Sequence, residues 1–260
     1  MNSGNIIDQI NFRAWTQKRP LASDGAIQTL QKPEEAILRE IKREVSGRRI
    51  LDIGIGTGRT IEFLRGISRK YVGIDYSPEM IKSCRKLYPV HDLRCCDARN
   101  MSIFKEEEFD FILFSYNGID YVSHQDRLQI LKEVYRVLRK GGLFAFSSHN
   151  KGVQNFNRFP FDWPPLTLNP IVLLRNIRKI GIRLLNHLNN KRFEFHTDQY
   201  SIINDSGENY SLMTYYITVE EQIRQLTQIG FGGLVRVFNL EGDEDGDQSQ
   251  SFWIYYLVRK

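Results

Sequence analysis

The stretch Ile50-Leu51-Asp52-Ile53-Gly54-Ile55-Gly56-Thr57-Gly58-Arg59-Thr60 constrains this chain more than any other. A short apolar run carrying one acid ends in three glycines at alternate positions. Ile61, Phe63 and Leu64 then open a helical pattern. The order reads as strand, tight glycine turn and helix start. Such a junction lets backbone approach a ligand closely and points N–H groups at it.

Two ligand classes suit a junction of this kind. The dinucleotide fingerprint G-x-G-x-x-G keeps its third glycine for helix–strand packing, but position 59 holds Arg59. The pattern here is D-x-G-x-G-x-G. Asp52 would repel a pyrophosphate and attract an ammonium. S-adenosylmethionine (SAM) carries an ammonium, a carboxylate and a sulfonium, so an acid beside N–H groups suits its methionine end. A second acid is expected after the next strand to hold ribose hydroxyls. Tyr71-Val72-Gly73-Ile74-Asp75 supplies it, one helix further on.

With the glycine triplet, Asp75 and the downstream elements in this order, residues 45–150 resemble the class I SAM-dependent methyltransferases. The likeness is to the small-molecule type (methyltransferase type 11/25) of bacterial biosynthetic clusters. It implies SAM as cofactor, with Asp52 facing the methionine ammonium and Gly54, Gly56 and Gly58 forming the turn. Asp75 would accept both ribose hydroxyls, and Tyr76 and Met80 would pack on the adenine. Asp97-Ala98 would contact the adenine edge, although Asp97 also reads as a turn cap.

Strand and helix patterns alternate through the first half: strands at 50–54, 70–75, 91–96, 109–115 and 143–148, helices at 59–66, 78–88 and 125–139. That rhythm predicts an α/β fold, a doubly wound, Rossmann-like parallel sheet. With two β-rich runs at 233–240 and 251–259 as an antiparallel terminal hairpin, seven strands are expected. Ser77-Pro78-Glu79 is a helix start, and Leu138-Arg139-Lys140-Gly141-Gly142 a helix stop. One domain spans 1–260: a helical cover at 1–45, a SAM-binding core at 46–150, an inserted α/β lid at 151–218, and a helix and hairpin completing the core at 219–260. In the cover, Phe12 and Trp15 either shield the cofactor or merely pack the segment on the body.

Ligands of open α/β sheets bind at the carboxyl ends of strands. The fourth strand ends in Ser115-Tyr116-Asn117-Gly118-Ile119-Asp120-Tyr121. Ser115 and Tyr116 are expected along the methionine moiety, with Asn117, Asp120 and Tyr121 facing the acceptor. The fifth ends in Ser147-Ser148-His149. His149 is the candidate general base, because imidazole titrates near neutrality. The alternative is a histidine bonded to its own loop that organises the site. His196 in the lid is a further candidate for acceptor contact, and His124 belongs to a helix cap.

The lid is where the acceptor is chosen. Pro160, Pro164, Pro165 and Pro170 stiffen its start beside Phe159, Phe161 and Trp163. Ile171, Leu174, Ile177, Leu184 and Leu188 then form a helical stripe, with Arg175, Arg178, Lys179 and Arg183 mostly off it and no acid nearby. Packing of that stripe within the lid is the leading expectation. RNA and an anionic membrane surface are the alternatives that the net charge of +5 leaves open. An N-P-P-[FY] motif for nucleobase amines is absent.

The expected partner is therefore a small-molecule acceptor methylated on oxygen or nitrogen. A tRNA or rRNA methyltransferase and a SAM-binding regulator without turnover are the alternatives. Cys84, Cys95 and Cys96 are expected to be reduced and to hold no metal. The acidic run at 241–248 is expected to be a solvated tip. The first residues carry no basic-then-apolar leader, so the cytoplasm is the expected location.

Overall fold

The sheet grows outward from the glycine junction. The computed structural model describes residues 3–17, 29–153, 156, 167–244 and 250–260. Strand β1 (Ile50–Ile53) lies between β2 (Tyr71–Asp75) and β4 (Phe109–Phe114). Outside these lie β3 (Asp92–Cys95) and β5 (Leu138–Asn150), and all five run parallel. Every residue of β1 and β2 is buried, as expected of strands covered on both faces. On the far side of β5, β10 (Trp253–Arg259) runs antiparallel and pairs with β9 (Arg236–Phe238). The seven-stranded core is thus β3-β2-β1-β4-β5-β10-β9.

Helices cover both faces. On one side Ile37, Leu38 and Ile41 of α2 (Lys32–Val45), Leu64 of α3 (Ile61–Ile67) and Ile81 of α4 (Pro78–Leu87) close one core cluster. On the other, Ile130, Leu131 and Val134 of α5 (His124–Val137) and Leu226 of α7 (Val219–Ile229) close a second. The ends follow local chemistry. Ser77 caps α4 and Ser123 caps α5 through backbone N–H groups three residues on. Gly230 ends α7 at φ 119°.

Three expectations need correction. The glycine pair at 141–142 does not end a helix. Helix α5 stops at Val137 and the chain passes directly into β5. Gly141, at φ +73°, sits instead where the β4–β5 register slips between Phe109 and Phe111. Secondly, the sheet has ten strands among the described residues, because the insertion extends it. β8 (Thr214–Ile217) pairs parallel with the end of β5, and β7 (Tyr200–Ile203) and β6 (Phe195–His196) follow antiparallel. The β7–β8 connection runs from 204 to 213 and contains a short 3-10 turn at Gly207–Tyr210. Asn204 ties it together by donating to the carbonyls of Tyr210 and Leu212.

Thirdly, the inserted helix α6 (Pro170–Asn190) does not bury its stripe; it has no buried residue at all. The cover begins with α1 (Ser3–Gln17), pinned by Asn11. The Asn11 amide donates to the carbonyls of Tyr121 and Met213 and accepts from the N–H of Met213. Phe159, Pro160, Phe161, Trp163, Pro164, Pro165, Asp245 and Asp247 lie outside the described residues. No helix among the described residues is long and apolar enough to cross a membrane.

Candidate functional site

A cavity of about 470 Å³ opens at the carboxyl ends of β1, β2 and β4, under α1. Gly54 makes it possible. Its φ is +69°, and a Cβ there would stand 2.9 Å from the Phe114 ring. Only glycine lets the end of β1 turn this close to β4. The turn then delivers the N–H of Gly56 to Asp75 Oδ2 at 2.9 Å, while the N–H of Ser77 reaches Oδ1 at 2.8 Å. Burial raises the Asp75 carboxyl above its ordinary range, and these two donors work against that rise. The carboxylate is thereby held at a fixed place on the cavity wall.

Around Asp75 the wall is largely apolar. Ile53, Tyr76, Met80, Ala98 and Phe114 contribute to it, and Phe12 from α1 packs on Tyr76 with centroids 5.6 Å apart. Asp97 also lines the cavity. It caps the turn through the N–H of Arg99 at 2.9 Å and pairs with the Arg99 guanidinium at 2.5 Å. Arg99 in turn reaches Asp8 of α1 at 2.7 Å, which ties the cover to the floor.

Two residues expected at the cofactor do not reach the cavity. Asp52 is 1% exposed and faces inward. Its Oδ2 accepts from Thr60 Oγ1 at 2.6 Å and from the Tyr71 hydroxyl at 3.0 Å. Burial drives its carboxyl up to about 7. Its task is to fasten the start of α3 to β2. Gly58, at φ +89°, packs against α4; a Cβ there would lie 2.8 Å from the Tyr88 ring. It plays the packing role that the dinucleotide fingerprint reserves for its third glycine.

The neighbouring Arg59 is the residue the sequence reading passed over. Its guanidinium lies on the cavity wall and makes a two-pronged pair with buried Glu34, at 2.5 and 2.6 Å. It also donates to Ser115 Oγ at 3.0 Å and lies over the Tyr116 ring at 5.4 Å. The sequence did carry a signal: a cation stands where a nucleotide fingerprint wants glycine.

The end of β4 divides the remaining candidates. Ser115, Tyr116 and Tyr121 line the cavity; Asn117, Asp120 and His149 do not. Tyr116 and Asn117 both take left-handed backbone angles, φ 56° and 57°, uncommon for two successive non-glycine residues. The turn is held by the N–H of Asn117 donating to Ser147 Oγ at 2.7 Å. Asp120 is drawn away from the cavity into the core by fully buried Arg127, at 2.5 Å.

The other carboxylate oxygen of Asp120 accepts from the His149 N–H at 2.6 Å and lies 2.8 Å from His149 Nδ1. His149 Nε2 is 3.4 Å from Asn117 Nδ2. The imidazole is wedged behind Tyr121 by Tyr216 of β8 and Trp253 of β10, with centroids at 4.9 and 6.1 Å. This placement sets His149, the candidate base, behind the cavity wall and not on it.

Tyr121 is the member of this group that meets the cavity. Trp15 packs edge-on against it at 5.2 Å. Burial first, then the carboxylates of Asp205, Asp120 and Glu208, hold its phenol well above the usual range, so it stays protonated. Glu208 also lines the cavity from the lid, at φ 50°. Nothing in the sequence marked it, because its approach depends on the fold of the insertion. His196, on edge strand β6, is half exposed and away from the wall.

Residues 50–142 match a family described as a methyltransferase domain. A probable S-adenosylmethionine-dependent methyltransferase of Mycolicibacterium smegmatis is 26% identical over 117 residues, 45% of this chain and 44% of that protein. A probable phthiotriol/phenolphthiotriol dimycocerosates methyltransferase of Mycobacterium ulcerans is 27% identical over 157 residues, 56% of this chain and 59% of that one. The chain therefore spans about half the length of the curated relatives it matches. Among solved structures, the Burkholderia thailandensis 1,6-didemethyltoxoflavin-N1-methyltransferase shares the fold, with a TM-score of 0.56 and 14% identity. That match covers 98% of this chain and 88% of the other, which was solved with 1,6-didemethyltoxoflavin and S-adenosylhomocysteine bound.

Proposed function

We propose that this chain, whose residues 50–142 match a methyltransferase domain, is a class I SAM-dependent methyltransferase that methylates an oxygen or nitrogen of a small-molecule acceptor. The observation that carries the reading is Asp75. A carboxylate fixed by two backbone N–H groups beside a glycine turn, on an apolar cavity wall, suits a ribose diol next to a purine. Tyr76, Met80 and Ala98 are the surfaces for the purine ring. Ser115, held by Arg59 beyond the glycine turn, offers a hydroxyl to an amino-acid end.

SAM supplies a methyl group on a sulfonium, which leaves as a neutral thioether. The protein's task is then alignment of the acceptor with that methyl. Trp15, Tyr116 and Tyr121 form an aromatic rim that excludes water and orients a flat or apolar acceptor. Glu208 is the carboxylate near Tyr121 suited to hold an acceptor proton. His149 serves as a positioning residue: through Asp120 and Asn117 it sets the loop that carries Tyr121. The names of the relatives support a small-molecule acceptor over RNA.

Calorimetric titration with SAM and, separately, with NAD tests the cofactor. Binding of SAM without NAD is expected, and Asp75→Ala should weaken it on the order of tenfold or more. Absence of SAM binding, or an unchanged affinity in Asp75→Ala, overturns the assignment. A SAM-binding regulator is distinguished by one readout: it would bind SAM yet produce no S-adenosylhomocysteine with any acceptor.

A further inference from the structure

Helix α6 turns its apolar arc outward. Its hydrogen bonds to the body come from polar side chains at helical spacing: Arg183 and Asn186 reach Asn209, His187 meets Asn204, and Asn190 reaches Tyr210. The arc away from these contacts carries Leu173, Leu174, Ile177, Leu184, Leu185 and Leu188, all between 43% and 70% exposed. A surface helix ordinarily presents such an arc to the core; here the core side is the polar one. Arg175, Arg178 and Lys179 run along one flank, Lys191 and Arg192 follow, and residues 169–192 contain no acid.

We propose that α6 lies on an anionic lipid surface, with the leucine arc in the headgroup–acyl boundary and the cations at the phosphates. Charge selects this occupant. A second copy docked α6 against α6 would bring the same cations with no acid to meet them. An anionic bilayer satisfies both halves of the helix at once. RNA would meet the cations and leave the leucines in water. The position gives the contact a use, since the turn gripped by Arg183 and Asn186 also places Glu208 on the cavity wall. A lipid-borne acceptor would enter beside it. The attachment itself is independent of the reaction proposed above.

The test is sedimentation of the whole protein with vesicles of phosphatidylcholine, with and without phosphatidylglycerol. Sedimentation with the anionic vesicles alone, falling as sodium chloride is raised, is expected. Leu174→Asp/Leu185→Asp and Arg175→Ser/Arg178→Ser should each weaken it on the order of tenfold. These side chains are exposed, so both variants should keep the wild-type circular dichroism and melting temperature. Failure to sediment with anionic vesicles overturns the proposal, as does equal sedimentation of the leucine variant. Dimerisation lost in Leu185→Asp without vesicle binding assigns the face to a second copy. Retention of RNA without vesicle binding assigns it to nucleic acid; both results also overturn the proposal.

Discussion

Replacing Asp52 by asparagine isolates the group whose environment is most unlike water. The side chain is 1% exposed, and its one bonded oxygen serves both Thr60 and Tyr71. Burial raises its carboxyl from 3.8 to about 7. The fold therefore keeps a proton on Asp52 over a range where the unfolded chain has released it. The stability so contributed is complete below about pH 4 and is lost as pH rises through about 7. At pH 5 the linkage amounts to about 3 kcal/mol, and by pH 8 it is nearly gone.

Asparagine has nearly the same shape and does not titrate. Urea unfolding at pH 5, 6, 7 and 8, followed by tryptophan fluorescence, reads the difference between the two proteins. The advantage of the wild type should shrink by about 3 kcal/mol from pH 5 to pH 8. A difference that stays constant across this range refutes the reasoning, because ionised Asp52 would then be fully compensated, with Arg59 the nearest cation to do it. SAM affinity should change by no more than about threefold, since the side chain faces away from the cavity and its effect is indirect.

Asn11→Ala removes three buried hydrogen bonds between α1 and the β4 and lid loops and should cost about 2–4 kcal/mol. Deuterium uptake should rise in α1 and stay low in β1 and β4; unchanged uptake in α1 would mean that its aromatic contacts suffice. Arg127→Met leaves the Asp120 charge buried beside His149 and should cost about 3–5 kcal/mol, measured by denaturation. Adding Asp120→Asn should recover part of that loss, and no recovery would assign the cost to packing alone. His149→Ala should lower kcat while leaving SAM affinity nearly intact. Equal losses in both would make His149 a purely structural residue.

Much of the architecture was legible because its signals are local. Alternating strand and helix patterns, serine and proline at helix starts, and the glycine turn each depend on a few adjacent residues. They sufficed for the doubly wound sheet, its antiparallel edge and the approach of Gly56 to Asp75. Elsewhere the local signal had a second use. Gly141 has the left-handed φ of a helix stop but serves a strand slip. The α6 stripe has the periodicity of a packed helix, and periodicity alone does not say which face meets the body.

The sequence by itself determined the cavity wall at which we propose the ribose to lie, since a strand, a glycine turn and an acid at the end of the next strand meet through local geometry. Only the tertiary structure decided which side chains at the ends of β4 and β5 reach the cavity wall. Arg127, 7 residues from Asp120, draws it inward. β8 and β10 meet His149 from opposite edges and seat it behind Tyr121. Asn11 joins α1 to Met213 across 202 residues, and the fold of the insertion brings Glu208 to the cavity wall. Those outcomes rest on contacts between segments far apart in the chain, and no local pattern encodes which of two buried neighbours a polar side chain will satisfy.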